Sequence, residues 1–157
     1  RSIWILDDIT PLQQLTPEVA EGEAFLFAAR PAIRWKTNTQ ARVTVAGAKH
    51  FRGRNPAEGT TISYYLPTDL DGEVQLTITD PSGEAFRSLE GPGEGGIHRV
   101  PWDLRGDPRP VDPDDPDSRR YRPEAEPGRY LVKLVLEGRE LVQPIVVLED
   151  VWMNETH

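Results

Sequence analysis

Hydrophobic and polar residues alternate most strictly between residues 61 and 79. Ile62, Tyr64 and Leu66 alternate with Thr61, Ser63 and Tyr65, and Val74, Leu76 and Ile78 alternate with Gln75, Thr77 and Thr79. A period of two puts one set on a buried face and the other on an open one, so both stretches read as half-buried strands. Asp69–Gly72 and Asp80–Gly83 carry turn chemistry on either side of the second strand, and a short strand is predicted at 84–89. Further on, Val100, Trp102 and Leu104 point one way while Arg99 and Asp103 point the other.

The clearest hairpin closes the chain. Residues 129–137 and 139–149 form two strands around Glu137-Gly138. With those two residues as the loop, Leu134 faces Leu141 and Tyr130 faces Ile145. Tyr130, Val132, Leu134, Leu136, Leu141, Ile145 and Val147 then share one face, with Gln143 as the misfit. Pro144 donates no hydrogen bond, which requires an edge or a bulge at that point.

The rest of the chain is less regular. Residues 3–6 (Ile-Trp-Ile-Leu) read as a strand with no hairpin partner nearby. Within 9–23, Thr10-Pro11 and Thr16-Pro17 look like caps followed by proline, which predicts one or two short turns of helix in a linker. Residues 24–28 and 31–35 are extended candidates around Arg30-Pro31. Residues 47–60 and 91–96 are glycine-rich connections. Residues 105–128 are dense in proline and aspartate and read as an irregular insertion, too polar to pack. The pattern gives about seven to nine short strands separated by turns, which predicts an all-β, immunoglobulin/fibronectin-type-III-like β-sandwich with an N-terminal extended linker. Residues 1–35 are assigned to an extended strand and linker, 36–150 to the sandwich, and 151–157 to a C-terminal tail.

Composition supports the all-β reading and narrows the partners. Fifteen prolines and thirteen glycines among 157 residues imply many turns. The net charge of −8 argues against nucleic acid, which needs a basic footprint. With no cysteine there is no disulfide or thiolate metal site. No apolar run has the length of a membrane-spanning helix, so no membrane insertion is expected.

Candidate chemistry is sparse. His50, His98 and His157 have no neighbour at metal-ligand spacing. The run Asp112–Asp117 suggests calcium, but Pro116 and Asp117 occupy positions where an EF-hand needs an oxygen ligand and a glycine. The remaining acids lie in turns rather than in the paired setting that glycosidases require. Gly91–Gly96 lacks the lysine of a phosphate loop. The expectation is a chain that is not an enzyme, with no catalytic residue, cofactor or metal. Trp4, Tyr64, Trp102 and Tyr130 fall on apolar faces and read as core. Trp35, Tyr65 and Trp152 do not, which makes them the candidate ligand or partner contacts, by stacking on sugar rings or by packing on another protein.

Two groups of motifs resemble known families. Arg1–Asp8 (RSIWILDD) and Ile9–Leu12 (ITPL) resemble the closing strand of a sortilin-type or BNR-repeat β-propeller and the linker after it. Gly72–Gly83 (GEVQLTITDPSG), Phe86–Leu89, Gly96–Asp103 (GIHRVPWD) and Pro127–Lys133 (PGRYLVK) resemble, in that order, the immunoglobulin-like domain of flagellar hook-capping proteins. The resemblance implies the C-terminal part of a BNR-repeat glycosyl hydrolase-like protein, extracellular or periplasmic, whose partner is an upstream propeller of the same polypeptide. It implies a non-catalytic accessory module that supports structure or protein interaction; the alternative is a carbohydrate-binding module of a glycoside hydrolase. The Asp-box signature of such propellers is absent from these residues, and the insertion 105–128 departs from the compact immunoglobulin-like pattern.

Overall fold

A computed structural model describes residues 8–36, 58–108, 121–136 and 138–151. The N-terminal part holds two short helices, α1 (Thr10–Gln14) and α2 (Pro17–Ala20). Thr16 caps α2 as expected, its side chain accepting from the Val19 N–H. Thr10 is already helical in α1, and the carboxylate of Asp8 accepts its N–H at 2.9 Å instead. The Gln14 side-chain amide holds this segment to the strands, donating to the Ala28 carbonyl at 3.0 Å and accepting from its N–H at 2.8 Å.

The described residues form eight strands in two sheets. One sheet has the order β1 (Phe25–Leu26), β3 (Thr60–Leu66), β6 (Gly96–Trp102) and is antiparallel. The other has the order β2 (Ala32–Arg34), β8 (Arg139–Glu149), β7 (Gly128–Leu136), β4 (Val74–Thr79), β5 (Ala85–Gly91). All its pairs are antiparallel except β2 with β8, which is parallel. The described residues are therefore all-β apart from two short helices. β1 and β2 fall within the extended segments expected at 24–28 and 31–35, and each adds one strand to a sheet, so the sheets begin before residue 36. The chain changes sheets at Arg30-Pro31, where a residue without an N–H leaves no ladder bond unmade.

The alternating apolar positions meet in one core that both sheets share. Ile62, Tyr64, Leu66, Val100 and Trp102 from one sheet pack with Val74, Leu76, Ile78, Tyr130, Val132, Leu134, Ile145 and Val147 from the other. The hairpin register is as expected, with Tyr130 opposite Ile145 and Leu134 opposite Leu141. Gln143 has a reason to face inward: its amide donates to the Leu26 carbonyl at 3.2 Å, joining the end of β1 to the opposite sheet. Pro144 sits where β8 has β7 on one side only, because β2 pairs no further than Val147.

The insertion is packed at both ends, contrary to the expectation that it is too polar to pack. Arg105 and Glu124 form a β-bridge, flanked by the bonds Gly106 N–H to Pro123 O (2.8 Å) and Ala125 N–H to Leu104 O (2.7 Å). Ala125 and Leu104 are buried in the core. Their burial outweighs the local polarity, because the flanking polar groups bond one another. Asp107 then covers the open edge of β5: its N–H donates to Phe86 O at 2.8 Å, and its carboxylate accepts the Ser88 N–H at 2.9 Å. Residues 109–120, including the acidic run 112–117, lie outside the described residues, as do Trp4, His50, Trp152 and His157.

Candidate functional site: a charged ladder and an apolar half-face

Of the expected contact residues, the two among the described residues, Trp35 and Tyr65, belong to different sheets. Trp35, just past β2, is 60% exposed. Tyr65, on β3 of the other sheet, is half-buried, and its hydroxyl donates to the Ala20 carbonyl at 2.8 Å. That bond fastens α2 to the sheet and gives Tyr65 a structural role. Trp152 is outside the described residues. His98 lies on β6, half-buried, with its ring 5.2 Å from that of Tyr64.

Around Trp35 the two ends of the insertion meet the end of β2. Arg34 reaches across to Glu126 (2.9 Å) and Glu124 (3.4 Å), and Arg105 reaches Glu124 from the other side (2.8 Å). The result is a ladder in the order Glu126, Arg34, Glu124, Arg105. One cleft, lined by Trp35 and Leu104, and a second, lined by Tyr121 and Glu126, share Arg34, Arg105 and Glu124. Tyr121 is 55% exposed. Neither the ladder nor Tyr121 is legible in the sequence, because Arg34 pairs with residues 90 and 92 positions away and the Arg105–Glu124 rung closes across the irregular insertion.

Beneath the ladder, Arg122 clamps the returning chain to the end of β6. Its guanidinium donates to both carboxylate oxygens of Asp103 (2.7 and 3.1 Å) and to the Gly106 carbonyl (2.9 Å). Burial works to raise the Asp103 pKa. The hydrogen bonds from Arg122 and from the Arg105 N–H, with the charges of Arg122 and Arg87, outweigh it and hold the carboxyl below its ordinary value. A carboxyl lowered in the folded state adds stability above its unfolded pKa, about 3.9, and loses it as pH falls through the folded value. Asp103→Asn is therefore expected to lower stability at pH 7 and to flatten the decline below about pH 4. Urea midpoints across that range measure it, and an acid limb as steep as wild type would contradict the clamp.

A second surface lies on the outer face of the five-stranded sheet. The hairpin's inward residues leave Val142, Pro144, Val146 and Leu148 of β8 pointing outward, opposite Lys133, Leu131 and Arg129 of β7 for the first three, while Val135 stands opposite Glu140, which pairs with Lys133 at 3.0 Å. Val135, Val142, Val146 and Leu148 are 51%, 43%, 39% and 44% exposed. Ile33 of β2 stands opposite Leu148 and extends the stripe. The other half of the same face, on β4, carries Gln75 and Thr77. The alternation of the hairpin marks its buried face most clearly. The signal for the outer one was present in β8, which is apolar at both alternating sets.

Among the described residues no group of three or more histidines, cysteines or acids is placed to hold a metal ion, and no helix is long and apolar enough to cross a membrane. No family model, no curated protein and no solved structure matches the chain.

Proposed function

We infer that the chain is a non-catalytic accessory module of immunoglobulin-like type, which packs against a neighbouring folded domain of a larger β-propeller polypeptide of the BNR-repeat or sortilin-like kind. An extracellular or periplasmic location goes with this reading. The observation that carries it is the outward apolar row Val142, Pro144, Val146 and Leu148 along β8, extended across the sheet by Leu131 and Ile33 and bordered by Arg129 and Lys133, where β4 carries polar residues. Solvated sheet faces are ordinarily polar, and a contiguous apolar patch marks a contact surface.

The strand order supports the immunoglobulin-like part of the reading. β1, β3 and β6 correspond to strands A, B and E of such domains, and β8, β7, β4 and β5 to G, F, C and C′. The Tyr130 hydroxyl, near the start of β7, donates to the Glu126 carbonyl at 3.1 Å. This is the geometry of a tyrosine corner, in which a tyrosine at the start of strand F bonds back to upstream backbone.

The test uses the outward positions. Val146→Asp with Leu148→Asp alters exposed side chains only, so melting of the isolated chain should change by less than that of the longer polypeptide. In the latter, the pair is expected to release the module, exposing β8 to hydrogen exchange and lowering the neighbouring domain's melting temperature. Equal protection of β8 in the isolated chain and in the longer polypeptide would sink the reading.

A further inference from the structure

The ladder beside Trp35 has different chemistry from the apolar half-face, which it adjoins at Ile33. Its members are solvent-facing, with side chains 35% exposed for Arg34, 50% for Glu124, 46% for Arg105 and 78% for Glu126. Two cations and two anions alternate, so the ladder carries no net charge. The mutual salt bridges bias the four side chains toward this arrangement, which slightly reduces the ordering cost of binding. They also leave capacity over: Arg105 Nη1 and Nε, Arg34 Nε and Glu126 Oε1 make no hydrogen bond among the described residues. The exposed rings of Trp35 and Tyr121 line the two clefts that share the ladder.

We propose that this surface binds a neutral glycan, with the Trp35 and Tyr121 rings stacking on pyranose faces and the Arg34–Glu124–Arg105 ladder bonding the hydroxyls. A pyranose presents apolar C–H faces and an equatorial rim of groups that both donate and accept. Flat aromatic side chains flanking fixed, alternating donors and acceptors meet both requirements. The balanced local charge selects against ionic ligands, and the protein's net charge of −8 disfavours polyanionic glycans further. A polyproline stretch also packs on aromatic rings, but it offers carbonyl acceptors and no donors, so it makes no direct bond to the Glu126 carboxylate.

Calorimetric titration of the full chain with cellohexaose, laminarihexaose, xylohexaose and mannohexaose tests this, with decaproline as the competing ligand. At least one hexasaccharide is expected to bind with a Kd of about 10 µM to 1 mM. Its affinity should change by no more than about threefold between about 50 mM and 500 mM NaCl, since the ligand is neutral and salt acts only on the exposed pairs within the ladder. Trp35→Ala and Tyr121→Ala should each weaken it by about tenfold or more, with the melting curve confirming that these exposed substitutions leave the fold intact. Glu126→Gln should weaken it less, because the amide still accepts one bond. The proposal is overturned if none of the four sugars binds, if Trp35→Ala binds as well as wild type, if affinity falls steeply with salt, or if decaproline alone binds in a Trp35-dependent way. None of these outcomes bears on the apolar half-face, whose test uses Val146 and Leu148.

Discussion

Replacing Trp102 by alanine is expected to cost about 3–5 kcal/mol of folding stability, the range for emptying a large buried aromatic site. Trp102 is fully buried at the end of β6. Its ring contacts two aromatic side chains of the opposite sheet, with centroids 6.3 Å from Phe86 and 5.4 Å from Tyr130, at interplanar angles of 82° and 59°. One side chain thus joins both sheets. Its indole N–H also donates to the Arg105 carbonyl at 3.1 Å, so it fixes the start of the insertion as well. The carbonyl would not be orphaned in the variant, because Arg122 also donates to it. The loss is therefore mostly one of packing. Trp102→Phe, which keeps a ring against Tyr130, should lose clearly less. Domain stabilities are typically about 5–15 kcal/mol, so the alanine variant should lose a substantial share of the total. Urea unfolding measures it as a lower midpoint at unchanged slope. A shift worth less than about 1.5 kcal/mol would mean that the two sheets do not meet at this ring.

The positions that sequence reasoning placed well are those where neighbours along the chain determine the outcome. The hairpin was legible because its alternation runs through both strands and Gly138 supplies the positive φ, 83°, that its turn requires. Trp102 and Tyr130 were legible as core because each sits in step with other apolar residues of its strand. β1 and β2 were legible as extended segments but not in their sheet partners. They are two and three residues long, too short for a periodic signal. They are fixed instead by partners far along the chain: Gln143 holds Leu26, and β8 pairs with β2 in parallel. The same reason hid the candidate glycan surface. Trp35 was singled out because it lacked an apolar partner set, but the ladder beside it depends on residues 105, 124 and 126 returning to the end of β2. That return is a tertiary event, and a proline- and aspartate-rich stretch gives no local hint of it. The Gln143 misfit and the inward-facing polar amide it predicts were visible, whereas its partner was not.

Gly59→Ala should be nearly as damaging as the loss of Trp102, for a backbone reason. Gly59 has φ +98°, a conformation that side chains rarely adopt. An added Cβ would lie 1.9 Å from the Trp102 carbonyl oxygen, 2.9 Å from its carbonyl carbon and 3.0 Å from the Asp103 Cα. All three are backbone atoms, so no side chain can swing aside. β6 cannot retreat easily either, since Trp102 is held by its ring in the core and by its pairing with Thr60. The left-handed backbone alone costs about 1–2 kcal/mol for a residue with a Cβ. The forced displacement of β6 should bring the total to about 3 kcal/mol or more. Gly138 provides the control, with a similar φ of +83° and no atom within 4 Å of its added Cβ. Gly138→Ala should therefore show only the conformational cost, about 1 kcal/mol. Thermal or urea unfolding of the two variants side by side separates strain from collision. Equal losses would show that β6 gives way at Gly59, and that the close approach of the chain to Trp102 is not a fixed feature of the fold.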